Sequence, residues 1–589
     1  MAKAAWKKVA RAADVREPGP HAFAAGDLDV VLVRTGAGLK AFEGRCPHRG
    51  ALLGEGELEG DAIVCRNHRW RFDAASGQRD GGPECLVACP VREENGHVLV
   101  DVARLIEAKA VRQAGKRRFD KLPGPRMLPL IGSSHLLDID RLHLQLEEWA
   151  SQYGTPYRVA IGPRRAIVLA EMGDMMPVFR DRPETFRRGS NLAPVLKELG
   201  VAGVFSAEGT AWRSQRRLSM EALSHRHLRS FYPTLKNVAE RLRTRWTKAA
   251  ERGDVLDIAE ELKRFTVDVT TQLVFGYDID TIGKDGDVIQ EQLGLLFPTF
   301  NRRLFAAVPW WRLLRSPADR AVDRAIAELR TWLDGLTAQA RVRIAADPSL
   351  ADRPQNFLEA MLTARDERGE PFDDETIFGN AMTMLLAGED TTAYTLAWAV
   401  HHLLEEPGAV DELHDELAMV LGDDHVPRDI ETANRLAWAG AIANESMRVR
   451  PVAPLLIFEA LVDTVVADVS ITKGTLVFGL IRPPAMSEAN FSTPEAFRPS
   501  RWMEGRDGGA HEPGAHQPFG SGPRICPGRS LALLEMKLVL GTLYRSFDVE
   551  RVGEPSAVTE RFSFTMMPVG LKVRLRLRAQ AVAAKRRSA

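Results

Sequence analysis

The sequence predicts two bodies of unlike architecture, a small all-β domain followed by a much larger, mainly α domain, and three observations predict it. At 589 residues with a 45% hydrophobic share, the chain is too long for one core and apolar enough to fill more than one. From Asp29 to about Val102 the apolar runs are short: Val30-Val31-Leu32-Val33, a Gly36-Ala37-Gly38 turn, Leu39 to Phe42, then Val91 and Val98-Leu99-Val100 around an Asn95-Gly96 hairpin turn. Beyond Pro125 the spacing changes to threes and fours, as in Val322, Ile326, Leu329, Leu333 and Leu336. The stretch from Thr376 to Leu403 is apolar almost all the way round, which marks a helix running through the interior of a large helical body.

Between the two bodies, Ile106 to Lys121 is charged and lacks a strand pattern, and Leu122-Pro123-Gly124-Pro125 disfavours helix. The expected division is a first domain over 1–105, a linker over 106–122, a second domain over 123–578 and a basic tail over 579–589.

Charge and cysteine usage exclude several functions. Lys+Arg and Asp+Glu balance at 79 each, so no positive field concentrates a polyanion, and nucleic acid is not an expected partner. The basic stretches at Arg112 to Arg118 and Lys585 to Arg587 read as solvated linker and tail. Lys3, Lys7 and Lys8 break the N-terminal stretch, and no run of about 18 apolar residues occurs, so no transmembrane segment is expected. Five cysteines, three of them inside metal-ligand patterns, point to a reducing compartment and a cytoplasmic protein, with no disulfide framework.

Cys46-Pro47-His48 and Cys65-Arg66-Asn67-His68 bring two thiolates and two imidazoles from two nearby segments. A two-iron cluster with one iron on Cys46 and Cys65 and the other on His48 and His68 needs that donor set, although a tetrahedral zinc ion would accept the same four side chains. The flanking His48-Arg49-Gly50-Ala51-Leu52-Leu53, His68-Arg69-Trp70-Arg71-Phe72-Asp73 and the Gly77 turn resemble Rieske ferredoxins over the whole first domain. The resemblance implies a 2Fe-2S cluster. It also departs from the high-potential respiratory type: Ala51 and Asn67 stand where that type has a disulfide, and Trp70 and Phe72 where it has hydroxyls. Fewer hydrogen bonds to the cluster sulfurs imply a potential at the low end of the Rieske range, about −150 mV. Cys85 and Cys89, four apart, read as ordinary thiols.

Phe519-Gly520-Ser521-Gly522-Pro523-Arg524-Ile525-Cys526-Pro527-Gly528 is a glycine-rich loop opening onto a helical pattern from Leu531 to Leu543. Cys526 is therefore expected at a helix N-terminus, where backbone amides and the macrodipole favour a thiolate. The loop resembles the heme-binding signature of the cytochrome P450 family, and the resemblance extends from Pro123 to about Arg578, implying a mainly α fold with minor β-sheets and heme b ligated by Cys526. Phe519 and Arg524 in the loop, and Trp212 and Arg216 as a Trp-x-x-x-Arg helix, match heme-binding positions. Glu445-Ser446-Met447-Arg448 resembles the family's Glu-x-x-Arg helix, with Arg501 completing a structural charge network. Phe458 replaces an Arg often seen in the strand after that helix, and Ile481-Arg482-Pro483-Pro484 departs from His-Arg-Asp-Pro, so propionate anchoring is expected to be rearranged.

Ala387-Gly388-Glu389-Asp390-Thr391-Thr392 interrupts the buried helix, and such a run commonly distorts the hydrogen-bond ladder. The resemblance implies that Asp390 and Thr391 deliver protons to bound O2. It further implies a monooxygenase that inserts one oxygen atom into a hydrophobic small molecule, with Val452, Ala453, Leu455, Met566 and Met567, and the stretch between Leu192 and Phe205, around the substrate. Phe297 to Trp311 reads as a buried helix pair in preference to an access lid. The first domain is expected to supply single electrons. Gly54-Glu55-Gly56 and Gly520-Ser521-Gly522 open no βαβ unit, so no flavin or nicotinamide domain is visible and a separate NAD(P)H-dependent ferredoxin reductase is implied. The alternatives are a redox-sensing first domain and a heme-thiolate peroxygenase or isomerase.

Overall fold

Val30 to Val33 are all buried because their strand, Asp29–Thr35, has a core on each face. Val31 and Val33 point into one apolar cluster with Cys46 and Cys65, and Val30 and Leu32 into another with Val98 and Val100. The strand is flanked by Pro20–Ala24 and Gly38–Glu43, and Ala88–Cys89 completes this antiparallel sheet. Val91–Glu94 and His97–Asp101 form the expected hairpin, with Asn95 (φ 50°) and Gly96 (φ 72°) at its turn, and Trp6–Arg11 adds a third strand. A third small sheet, Glu57–Glu59, Ala62–Val64 and Arg71–Asp73, adjoins the cysteine loops.

The computed structural model describes residues 4–578 apart from 16–18, 27, 37, 48–50, 67–68, 83, 113–116, 285–287, 307–308, 352, 367–368 and 506–510, and the backbone alone of 108–112 and 288–291. The expected tail lies outside the described residues.

The expected linker over 106–122 is largely ordered. A helix spans Ala103–Arg112, and its Leu105 is buried in the first domain's core. Arg117–Arg118 pairs in parallel with Val469 and Ser470, and Phe119 and Leu122 are buried in the second domain. Charge hid both elements, because short segments that dock by one or two apolar side chains leave no periodic signal.

The second domain is mainly helical, with a five-stranded sheet in the order Tyr157–Ile161, Arg164–Leu169, Leu476–Leu480, Leu455–Ala460, Phe186–Arg188. The period read at Val322 belongs to the helix Pro317–Ala346, opened by a capping box between Ser316 and Asp319; Val322, Leu329, Leu333 and Leu336 are buried and Ile326 is half-buried. The interior helix spans Asp374–Leu403, begins where the Asp373 side chain accepts from the Thr376 amide at 2.7 Å, and lies along Ile258–Phe275. It is unbroken through Ala387 to Thr392, contrary to the expected distortion: the Thr391 hydroxyl donates to the Ala387 carbonyl (2.8 Å), and Thr395 does the same to Thr391. Among the described residues no helix is long and apolar enough to cross a membrane.

Candidate functional site

Cys46 and Cys65 are buried in one apolar cluster with Phe42, Leu53, Ile63 and Phe72. Each opens a loop closed by backbone pairing: the Cys46 amide donates to the Ala51 carbonyl (2.8 Å), and the Cys65 amide to the Trp70 carbonyl (2.8 Å). Two buried thiols on adjoining loops fit the thiolate half of a 2Fe-2S cluster. His48 and His68 lie outside the described residues, and among those described no group of three or more metal-ligating side chains occurs. Gly54 and Gly56 are packing glycines: a Cβ would fall 2.0 Å from the Ala22 nitrogen and 2.2 Å from the Val64 oxygen. Cys85 is exposed, and burial pushes the Cys89 thiol up to about 12.

Glu445, Arg448 and Arg501 meet as the sequence suggests, and all three are buried. Arg448 grips Glu445 through Nε (2.9 Å) and Nη2 (2.8 Å), and Arg501 Nε reaches the same carboxylate at 2.9 Å. The Trp502 indole and the Arg498 amide add donors at 2.9 and 2.8 Å, and Arg448 caps the carbonyls of Ala485 and Ala496.

Cys526 precedes the helix Arg529–Ser546, and its amide donates to the Phe519 carbonyl at 2.9 Å. Burial pushes its thiol up, while the amides of Gly528 and Arg529 and the charges of Arg216 and Arg188 pull it down. Burial wins, so the helix amides by themselves do not make the thiolate expected from the sequence; a coordinated cation would. Gly522 (φ 73°) is required because a Cβ there would lie 2.3 Å from the Phe179 carbonyl.

The cations around this loop are short of anions. Trp212 is buried and lies under the Arg524 guanidinium, whose carbon is 4.4 Å from the ring centre. Arg524 pairs with Glu208, yet its Nε and Nη1 are buried without hydrogen-bond partners. Arg182 has two such donors and Arg188 one. Burial and mutual repulsion hold Arg182 far below the usual guanidinium range, Arg188 at about 9 and Arg524 at about 10, and burial also lowers Arg216. Of these four guanidiniums Arg524 is the one seen in contact with a carboxylate, Glu208, and the group is a donor set suited to the propionates of a heme.

Two of these arginines lie at Phe458, the position where the family often has an arginine. Arg188 is the cross-strand partner of Phe458, and the Arg182 guanidinium lies 4.9 Å over the Phe458 ring. Arg482 is used differently, binding Glu147 (2.5 Å) and Glu560 (3.0 Å). Sequence reasoning missed Arg182, Arg188 and Glu208; the basic run Arg180-Asp181-Arg182 through Arg187-Arg188 was the available signal, with no motif to mark it.

The interior helix is buried from Ile377 to Leu386 and again from Thr392 to Leu403, but between these stretches Ala387 is exposed and Gly388 and Thr391 are half-buried. A flat macrocycle on Cys526 would cover such a face. On the opposite side, Asp390 and the previously unnoticed Glu389 approach Lys263 Nζ at 3.7 and 3.5 Å. Burial raises both carboxyls, Glu389 to about 8, so two acids beside one ammonium retain a proton that ordinary carboxylates would release.

The expected substrate segments converge in part. The Met566 amide donates to the Val452 carbonyl at 2.8 Å, and Phe564, at the hairpin tip (φ 70°), contacts Phe205 and Phe300 with ring centres 5.9 and 4.7 Å apart. Val452 and Ala453 are half-buried and Leu455 is buried. Met566 is wholly buried, and Met567 lies beside the exposed Arg561, so strand alternation turns these two away from each other. Phe297 belongs to the helix Val288–Leu304, which packs on Pro317–Ala346; the stretch from Phe297 to Trp311 therefore holds the end of one helix and not a helix pair, and beyond that helix Trp311 is buried and Trp310 exposed.

Comparison with known proteins agrees with this geometry. The family description "Cytochrome P450" matches residues 122–575, and "Rieske [2Fe-2S] domain" matches residues 5–90. Relatives include cytochrome P450 97B2, chloroplastic, of Glycine max, 28% identical over 462 residues (71% of this chain, 80% of that protein). LUTEIN DEFICIENT 5, chloroplastic, of Arabidopsis thaliana is 25% identical over 439 residues, 72% of each chain. A bifunctional cytochrome P450/NADPH–P450 reductase of Gibberella moniliformis is 24% identical over 470 residues, 78% of this chain and 40% of that protein. The chain belongs to the cytochrome P450 family, with a Rieske domain fused ahead of it, and is an oxygen-incorporating oxidoreductase whose cofactors are a heme and a 2Fe-2S cluster.

Proposed function

We propose that this monooxygenase takes the electrons for its heme from the cluster of its own first domain, which a separate NAD(P)H-dependent ferredoxin reductase recharges. One observation carries the reading: Arg216, on the helix that carries Trp212 beside the thiolate loop, feels the charges of Glu55 and Arg66, and Arg66 directly follows Cys65. The first domain's ligand loop therefore borders the cation group around Cys526, and tethering there replaces a collision with a high effective concentration.

A thiolate-ligated heme, when bound, supplies O2 activation. Cys526 would hold the iron, and Arg182, Arg188, Arg216 and Arg524 would hold the propionates. The Thr391 hydroxyl, on the uncovered face, orients a proton donor, and Asp390 with Glu389 and Lys263 stores a proton one residue away. Phe564, Phe205, Val452, Ala453 and Leu455 select an apolar substrate by shape. Among the described residues no disulfide joins the cysteines, which suits the cytoplasm.

Replacing Cys46 by Ser, or His68 by Ala, should abolish turnover driven by the reductase while leaving peroxide-driven turnover intact. Unchanged reductase-driven turnover would rule the reading out.

A further inference from the structure

Arg45, the residue before Cys46, is 8% exposed and spends its three donor groups on two domains. Its Nε binds Asp29 of the first domain at 2.6 Å. Its Nη2 binds Glu184 of the second domain at 2.8 Å, and its Nη1 donates to the carbonyl of Arg180. The backbone of Arg45 pairs with Leu52 across the Cys46 loop, so the side chain is anchored to that loop.

The receiving surface is anchored to the heme loop just as directly. The Phe179 carbonyl, one residue before the Arg180 carbonyl, is the group that leaves no room for a Cβ at Gly522. Glu184 is also approached by Arg213 at 3.9 Å, on the helix that carries Trp212 and Arg216. Around this contact the charges complement across the junction, with Glu43 of the first domain acting on Arg180 of the second.

We propose that Arg45 is the pin that docks the first domain on the back of the thiolate loop, a positioning residue for electron delivery between the two metal sites. The proposal rests on the reading that the first domain reduces the heme. The guanidinium lies between two carboxylates, Asp29 and Glu184, that would face each other without it. Removing Arg45 turns an attraction into a repulsion and uncaps a half-buried carbonyl, whereas removing Glu184 leaves Arg45 paired with Asp29. The effect of the first change therefore exceeds that of the second.

The test uses the full-length protein carrying both cofactors, as Arg45→Gln, Glu184→Gln and the exchanged pair Arg45→Glu with Glu184→Arg. Docking is read from the dipolar coupling between the reduced cluster and the ferric heme in electron paramagnetic resonance, and delivery from the stopped-flow rate of heme reduction by the reductase. The expected result for Arg45→Gln is loss of the coupling and a fall in rate of roughly tenfold or more, as for truncation of a buried charge partner, with peroxide-driven turnover unchanged. Glu184→Gln, remote from the cluster ligands, shows the same change to a smaller extent, and the exchanged pair recovers both. Wild-type coupling in Arg45→Gln and Glu184→Gln overturns the proposal, as does lost coupling with an unchanged rate. The underlying reading fails separately, if Cys46→Ser leaves reductase-driven turnover unaltered.

Discussion

Two groups of buried arginines in the second domain have opposite accounts of their charge. Around Glu445, the guanidiniums of Arg448 and Arg501 and the indole of Trp502 converge on one carboxylate, and the remaining Arg448 donors cap carbonyls. Around Cys526, Arg182, Arg188 and Arg524 keep buried donors without partners and repel one another. The first group is complete within the polypeptide and holds the fold. The second leaves buried donors that an anionic ligand would satisfy, so binding such a ligand is expected to stabilise the folded chain.

The largest effect that tests this contrast comes from the complete group. Glu445→Ala leaves two guanidiniums buried without their carboxylate, and should lower unfolding free energy by about 3–5 kcal/mol, read from denaturant midpoints. A loss near zero would show that the network is not holding the domain together. In the incomplete group the sign should reverse. Arg182→Met removes two unpaired buried donors, so protein prepared without heme should gain stability, on the order of 1–3 kcal/mol, while the same change speeds heme loss to an acceptor protein. Parallel losses in both measurements would erase the distinction drawn between the groups.

The last effect is a slope. Glu535, buried in the helix behind Cys526 and hydrogen-bonded to Thr392, has its carboxyl pushed up to about 8 by burial. Above the ordinary carboxyl range the unfolded chain releases this proton while the folded chain keeps it, so stability falls as pH rises toward 8, by about 1.4 kcal/mol per pH unit at most. Glu535→Gln should flatten that fall between pH 5 and pH 8 in thermal unfolding; an unchanged slope would show that the carboxyl is already ionised.

Motifs whose members are close in the chain were legible: Cys46 and Cys65 on their loops, the Phe519 to Gly528 loop, the Glu445 and Arg448 pair, and the buried helix holding Asp390 and Thr391. Short charged elements were not, and Arg117–Arg118 looked like linker because its strand partner is Val469–Ile471, some 350 residues on. Met566 and Met567 stand together in the sequence, and the pleat turned them to opposite faces.

The sequence by itself determined the two metal-ligand loops and the class of helical and β architecture around them, because loop closure and periodicity act over a few residues. Only the tertiary structure decided which cations surround Cys526 and what touches the cluster loop. Arg182 and Arg188 meet at Phe458, and Arg45 finds Glu184 139 residues away, through packing that no local spacing encodes.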